Sequence, residues 1–361
     1  MNYRLGSRKT TEFRLLIDCC RWSFAGGNGG EIREFAAKAD WRRFLHLCRR
    51  HRVQGLVQRS FRELPLSPPT EVAGSLSEDA AAIAEHNLRA ARQSALLLDA
   101  FATTGIPLIF VKGLTLSELA YRDPFVKMSQ DIDVLVPGGS IAEAAVPLEQ
   151  LGYRLALPAV KPQSACFERW HRQRKESVWR SPNGLDLELH SRLADSPRLI
   201  PGIGIGSPRQ PVEVAPEIVL PTLAADELFA YLCVHGASSA WFRLKWIADL
   251  AGLLSTCRVE EIERLYERSR QLGVGRAAAQ ALLLAAATFG TAAGSELERR
   301  LKAMPVHSLL ADAAWRQLLR EEEPTRVRLG TATIHLTQLL LLPGLGFKLR
   351  ELSRQWSDMR S

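Results

Sequence analysis

The apolar positions of this chain change their period along its length, and the changes divide it into sections. Trp41, Phe44, Leu45, Cys48, Val53, Leu56 and Val57 approximate helical spacing over 41–57, with Asp40 placed to cap the first turn. A second long helix is predicted over 78–103, where Leu88, Ala91, Ala95, Leu98 and Ala102 share a face. The proline-rich run PLSPPT at 65–70 separates the two. The pattern then shortens to an unbroken apolar run, Ile106 to Val111, which reads as a buried strand between Gly105 and Gly113. LTLSELAYR predicts a short helix, DPFVKMSQ a loop, and Asp131 to Val136 a second strand. Ser140 can cap a helix running through Leu151 and closed by Gly152.

The segment ESVWRSPNGLDLELHSRL reads as a hairpin turning at Asn183-Gly184. In its second arm Leu185, Leu187 and Leu189 alternate with Asp186, Glu188 and His190, so one face is apolar and the other polar. Residues 195–221, rich in proline and glycine, are expected to form a long connection. Beyond Thr222 the spacing is helical: Leu244, Ile247, Ala248, Ala251 and Leu254 make one stripe, and RAAAQALLLAAATFG is apolar enough for a core helix. The expected class is α+β, a small mixed β-sheet core with helices at 104–194. A helical section precedes it at 1–103, the connection follows at 195–221, and a helical domain occupies 222–361.

Composition adds bounds. The 361 residues carry 47 Lys and Arg against 39 Asp and Glu, a formal charge of +8, which suits a nucleotide, another polyanion or a membrane surface. Most of the arginines, as in WRRFLHLCRRHR, read as a solvated helix face. The six cysteines are scattered without a CxxC pair, which points to a reducing compartment, and the charged N-terminus does not resemble a signal peptide. The late apolar segment IHLTQLLLLPGLGF is interrupted by His335, Thr337, Gln338 and Pro343, too short a run to span a bilayer. A cytoplasmic protein is therefore expected. The basic tail KLRELSRQWSDMR, which contains a tryptophan, reads as the end of the helical domain rather than a membrane-surface helix.

Candidate chemistry sits at the ends and on the faces of the predicted strands. Asp131 and Asp133 project together from one strand, and such a pair needs a cation or a shared proton. With Asp186 or Glu188 on a neighbouring strand they would make a cluster of hard oxygen ligands suited to Mg²⁺ (or Mn²⁺) and phosphates. Gly113 permits close backbone approach to a phosphate at a helix start. Lys112 ends an apolar strand and requires an anionic partner, a triphosphate or Asp131. Lys127 could stabilise leaving pyrophosphate or be a surface lysine. His190 could orient a carboxylate, contact a phosphate, or be an edge histidine. GIGIG at 202–206 neither follows a strand nor opens a helix, which excludes a dinucleotide-binding turn. No nucleophile elbow or aromatic-interleaved basic stripe occurs.

These residues resemble the DNA polymerase β-like nucleotidyltransferase superfamily, and within it a bacterial group of uncharacterised nucleotidyltransferases. The likeness runs through LIFVKGLTLSELAYRDPFVKMSQDIDVLV, LDLELHSRL and ELFAYLCVHGASSAWFRLKWIADLAGLL, and more loosely through DWRRFLHLCRRHRVQGLVQRSF. It implies that Asp131 and Asp133 are the metal-binding pair, Glu188 the third carboxylate, and Lys112-Gly113 the phosphate-contacting turn. Asp186 and His190 become candidates for a supporting shell, and His235, Arg243, Trp246 and Asp249 belong to the family pattern. Lys127 and Gln130 stand where an arginine and a glycine are usual, Ser191 where an aromatic is, and Ser239 where a second histidine is. The implied activity is metal-dependent transfer of a nucleotidyl group from an NTP to an acceptor hydroxyl. A small molecule, peptide or glycan is expected as acceptor rather than nucleic acid. The alternative is a nucleotide- or phosphosugar-binding protein without turnover, acting with a partner in a biosynthetic pathway.

Overall fold

A computed structural model describes residues 9–27, 29–64, 66 and 68–358. The chain begins with helices α1 (Thr11–Ala25), α2 (Gly29–Ala36), α3 (Trp41–His51), α4 (Gln54–Glu63) and α5 (Thr70–Thr104). Asp40 caps α3, its carboxylate accepting from the Arg43 amide at 3.1 Å. The single helix expected over 41–57 is two. Cys48 and Val53 are five residues apart, so the apolar stripe slips there. The chain accommodates the slip by placing Arg52 in a left-handed conformation (φ 57°) and returning the Val53 amide to the Cys48 carbonyl at 3.1 Å. The second long helix starts at Thr70 rather than 78.

One compact unit spans Ala82–Tyr231. After the greater part of α5 it contains β1 (Ile109–Phe110), α6 (Leu114–Tyr121), β2 (Asp131–Leu135), α7 (Ala145–Gln150), β3 (Arg154–Leu157), α8 (Ala165–Gln173), β4 (Glu176–Arg180), β5 (Asp186–His190), β6 (Arg209–Ala215) and β7 (Ile218–Leu223). Five strands form a mixed sheet in the order β1-β2-β5-β4-β3, in which only β2 and β5 run parallel. The Asn183-Gly184 turn joins β4 to β5 as the sequence implies, with Gly184 at φ 76°. Ile132, Val134, Leu187, Leu189 and Trp179 turn inward onto Leu97 and Phe101 of α5 and Phe167 of α8, so the apolar half of each alternation makes the core.

Two expectations fail in this unit. Ser140 does not cap a helix: it closes a 3-10 turn, and regular helix begins only at Ala145. The segment 195–221 is not simply a connection, because β6 and β7 pair within it as an antiparallel ribbon. Its glycines lie before the ribbon, while Val212, Val214 and Leu220 pack into the core. The strand alternation in VEVAPEIVL is therefore real, and the surrounding proline and glycine obscured it.

The other unit joins the residues up to Ala81 with those from Leu232 onward. Beyond α9 (Ala225–Ser238), which begins in the sheet unit, it adds α10 (Leu244–Leu254), α11 (Val259–Gln271), α12 (Gly275–Phe289), α13 (Glu296–Ala303), α14 (Pro305–Leu318), α15 (Ala332–Gln338) and α16 (Leu345–Asp358). The predicted stripe of α10 is buried, and α12 is buried along nearly its whole length. Gly236 is required where α9 meets Trp241, since a Cβ there would lie 2.5 Å from the indole. Helix α16 is inverted: Phe347, Glu351 and Gln355 are buried, whereas Leu345, Leu349, Leu352 and Trp356 are exposed. Among the described residues no helix is long and apolar enough to cross a membrane.

Candidate active site

The parallel pairing of β2 with β5 sets Asp131 beside Asp186, Asp133 beside Glu188 and Leu135 beside His190. Because alternate strand residues share a face, the acidic residues of both strands stand on the side away from the apolar core. Asp133 is 2 % exposed. Its Oδ1 accepts from Lys112 Nζ at 2.8 Å and from His190 Nε2 at 3.1 Å. Lys112 lies two residues beyond the end of β1, and its Nζ is also 3.8 Å from Glu188 Oε2. His190 lies 3.3 Å from Glu188 Oε2 through Nε2 and 3.3 Å from Glu176 Oε2 through Nδ1, and Glu176 pairs in turn with Lys175.

Six charged groups, Asp133, Lys112, Glu188, His190, Glu176 and Lys175, thus share a largely buried space, and their proton affinities are interlocked. Burial opposes the charge on Asp133, but Lys112 and the hydrogen bond from His190 outweigh it and hold the carboxyl well below its ordinary range. Burial likewise opposes the charge on Lys112, and Asp133 and Asp131 overcome it, so the ammonium is held well above its usual value. Burial and the Lys175 charge would lower His190, yet the hydrogen bonds to Asp133 and Glu188 lift it to about 9. Glu188 moves the other way: burial, reinforced by the negative charge of Asp133, pushes it up to about 7 despite its bond to His190. At neutral pH the arrangement contains three cations, Lys112, Lys175 and His190, two carboxylates held ionised, Asp133 and Glu176, and one carboxyl, Glu188, poised to exchange a proton.

The group can hold a metal. Asp133, Glu188 and His190 each offer a ligand atom, and these atoms lie within 4.8 Å of one another. Asp133 Oδ2 is buried and has no hydrogen-bond partner, so one lone-pair face of the carboxylate is uncompensated. Two carboxylates suit Mg²⁺, and the imidazole could join them as a ligand only by giving up the proton it holds at neutral pH.

The other expected residues are distributed around this group. Asp131 opens β2, half-buried beside Asp186, and lies outside the set of three. Asp186 is taken by Arg180, which donates to both its oxygens at 2.7 and 2.9 Å. Gly113 has φ 73° and ψ −126°, a conformation open to glycine, and precedes α6 without a side-chain cap. Lys112, Gly113, Thr115, Ser129, Asp131 and Asp133 line a small recess beside it. Lys127 is not a surface lysine: it is 6 % exposed, and its carbonyl accepts from Asn87 Nδ2 at 2.8 Å.

Glu176, Lys175 and Tyr231 join the site although sequence reasoning did not select them. Glu176 was findable, since the Asn183-Gly184 turn fixes the hairpin register and that register sets Glu176 opposite His190. Tyr231 is buried near Lys112, and burial holds its phenol proton well above the ordinary range, a relation no local pattern encodes. In the helical unit, Arg243 forks onto Glu323 at 2.9 and 2.9 Å and stacks 4.8 Å from Phe242 and 5.4 Å from Trp246. His235 meets Trp246 edge-on at 5.6 Å, and Asp249 is buried. A family profile described as "Uncharacterised nucleotidyltransferase" matches residues 37–290. No curated protein matches the chain.

Proposed function

The chain belongs to the uncharacterised nucleotidyltransferase family, and from that premise we propose that it transfers a nucleotidyl group from an NTP to an acceptor hydroxyl with Mg²⁺ or Mn²⁺, as a member of the DNA polymerase β-like superfamily. The observation that carries this reading is the convergence of Asp133, Glu188 and His190 around a buried carboxylate oxygen without a partner. Asp133 and Glu188 would hold the ion, with Asp131 beside them and His190 either ligating or fixing the two carboxylates. A bound divalent ion would neutralise these carboxylates and polarise the phosphoryl oxygens of the donor.

The chain's own residues do the rest. Lys112 and the glycine turn at 113 receive the triphosphate, with the uncapped start of α6 offering backbone N–H groups. Lys127 supplies a positive charge toward leaving pyrophosphate. Glu188 would also assist deprotonation of the attacking hydroxyl, its proton affinity then set by the bound ion as well as by burial. Asp186 is less suited to that task because Arg180 engages both its oxygens. The acceptor is a small molecule, peptide or glycan.

One observation favours a second reading, a nucleotide- or phosphosugar-binding protein without turnover. Lys112 Nζ, 2.8 Å from Asp133, already supplies a cation to the carboxylates. Calorimetry with ATP, GTP, CTP and UTP, with and without Mg²⁺, tests both on wild type and Asp131→Asn/Asp133→Asn, alongside pyrophosphate release. Metal-dependent binding lost in the double variant supports the transferase. Metal-independent NTP binding that survives the double variant, with no pyrophosphate released, would overturn it in favour of the binding protein.

A further inference from the structure

Within the helical unit, a cavity of about 760 Å³ opens where α11 passes into α12. That volume falls within the rough 300–1,000 Å³ range of small-molecule pockets. Its walls carry Arg270, Arg276, Arg300 and His307, with Leu301 and Leu341 among the apolar residues. We propose that this cavity binds a small organic phosphate that also carries a hydroxyl group. The site stands apart from the nucleotidyl-transfer reading and does not depend on it.

The start of α12 departs from ordinary helix design. Val274 at the N-cap provides no side-chain acceptor, and no acidic residue occurs in the first turn. Arg276 sits there instead, adding a positive charge to the positive end of a 15-residue helix. Its guanidinium donates to the neutral carbonyl of Leu340 at 2.9 Å, a bond that fixes its direction and leaves its charge uncompensated. Gly275 lets Arg270 lie across the same helix start, since a Cβ there would come within 2.8 Å of Arg270 Cγ. Arg270 pairs with Glu267 at 2.6 Å, and Arg300 with Glu263 at 2.6 Å and Glu267 at 3.7 Å, so Arg276 is the guanidinium of the lining left without a carboxylate partner among the described residues. An uncapped helix start that converges with surplus arginine is the environment a phosphate compensates.

His307 defines the remainder of the ligand. It is 7 % exposed, and its Nδ1 lies 3.3 Å from the Leu301 carbonyl. A carbonyl only accepts, so Nδ1 carries the proton and Nε2 of the neutral ring is an acceptor. Nε2 has no hydrogen-bond partner among the described residues, and the ring lines the cavity. That acceptor opens onto the cavity beside the anion site, where an O–H of the ligand can pair with it, and Leu301 and Leu341 line the space for the carbon frame.

The test is calorimetry in EDTA with ribose 5-phosphate and inorganic phosphate as probes, each variant first checked by thermal melting. Arg276→Gln should weaken both probes about tenfold or more, the equivalent of one charge-assisted hydrogen bond. His307→Phe should weaken ribose 5-phosphate and leave inorganic phosphate unchanged. Lys112→Gln should alter neither. If Arg276→Gln does not fold, Arg300→Gln replaces it with the same expectation. Absence of ribose 5-phosphate binding by wild type, wild-type affinity in the arginine variant, or loss of binding in Lys112→Gln would each overturn the proposal. Equal behaviour of the two probes in His307→Phe would overturn its hydroxyl component.

Discussion

Replacing Asp133 with Asn removes a charge and almost no volume, so its effect isolates the electrostatics of the candidate site. In the metal-free protein Asp133 Oδ1 accepts from Lys112 at 2.8 Å and from His190 at 3.1 Å, all within a buried setting. Breaking a buried charge pair by altering one partner costs about 3 to 5 kcal/mol. Here the loss is moderated, because Glu188 Oε2 remains 3.8 Å from Lys112 and 3.3 Å from His190, and the new amide oxygen still accepts one bond. We expect about 3 kcal/mol, the lower end of that range, seen in EDTA as a reduced urea midpoint with an unchanged slope. His190 should fall from about 9 toward the ordinary histidine range, read from its ring signals in a pH titration by NMR. A variant as stable as wild type in EDTA, or more stable, would refute the reasoning. It would mean that the Asp133 charge is strained without a metal and that Lys112 and His190 do not satisfy it.

Three other outcomes follow from the geometry. His171, buried between Ser177 and Ser191, is lowered to about 4 by burial and then by Arg192, so it stays neutral when folded while its unfolded counterpart takes a proton near 6.5. Its stabilising contribution is complete above pH 6.5 and lost as pH falls toward 4, by about 3 kcal/mol at most, and urea melts of His171→Gln against wild type should converge across that window. Gly113→Ala should cost about 1 to 3 kcal/mol in thermal melts, because φ 73° disfavours a side chain and the new Cβ would lie 3.3 Å from Ser129 Oγ. On α16, Phe347→Ala should cost about 3 to 5 kcal/mol, whereas Leu349→Ser on the exposed face should change stability by less than about 0.5 kcal/mol, the contrast being read by chemical denaturation.

Much of the fold was legible because it depends on local period. The leucines of β5, the apolar length of α12 and the Asn183-Gly184 turn each carry their structure in a few adjacent residues. The alternation of Asp186, Glu188 and His190 likewise placed a polar face on one strand before its neighbours were known. Where elements broke or began was less legible: the slip between Cys48 and Val53 and the β6–β7 ribbon are resolved by what the apolar residues pack against.

What the sequence determined by itself is which residues face together along one strand, since a strand's period is fixed by backbone geometry. What tertiary structure decided is which strands meet and in what register. Parallel pairing of β2 with β5 sets Asp133 rather than Asp131 beside Glu188, brings His190 within reach of both, and leaves Asp186 to Arg180. Lys112 then acquires its proton affinity from Asp133 and Asp131, and Glu176 much of its own from His190, charges distant in sequence. Those interactions depend on separation and burial through space, which the order of residues along the chain does not specify.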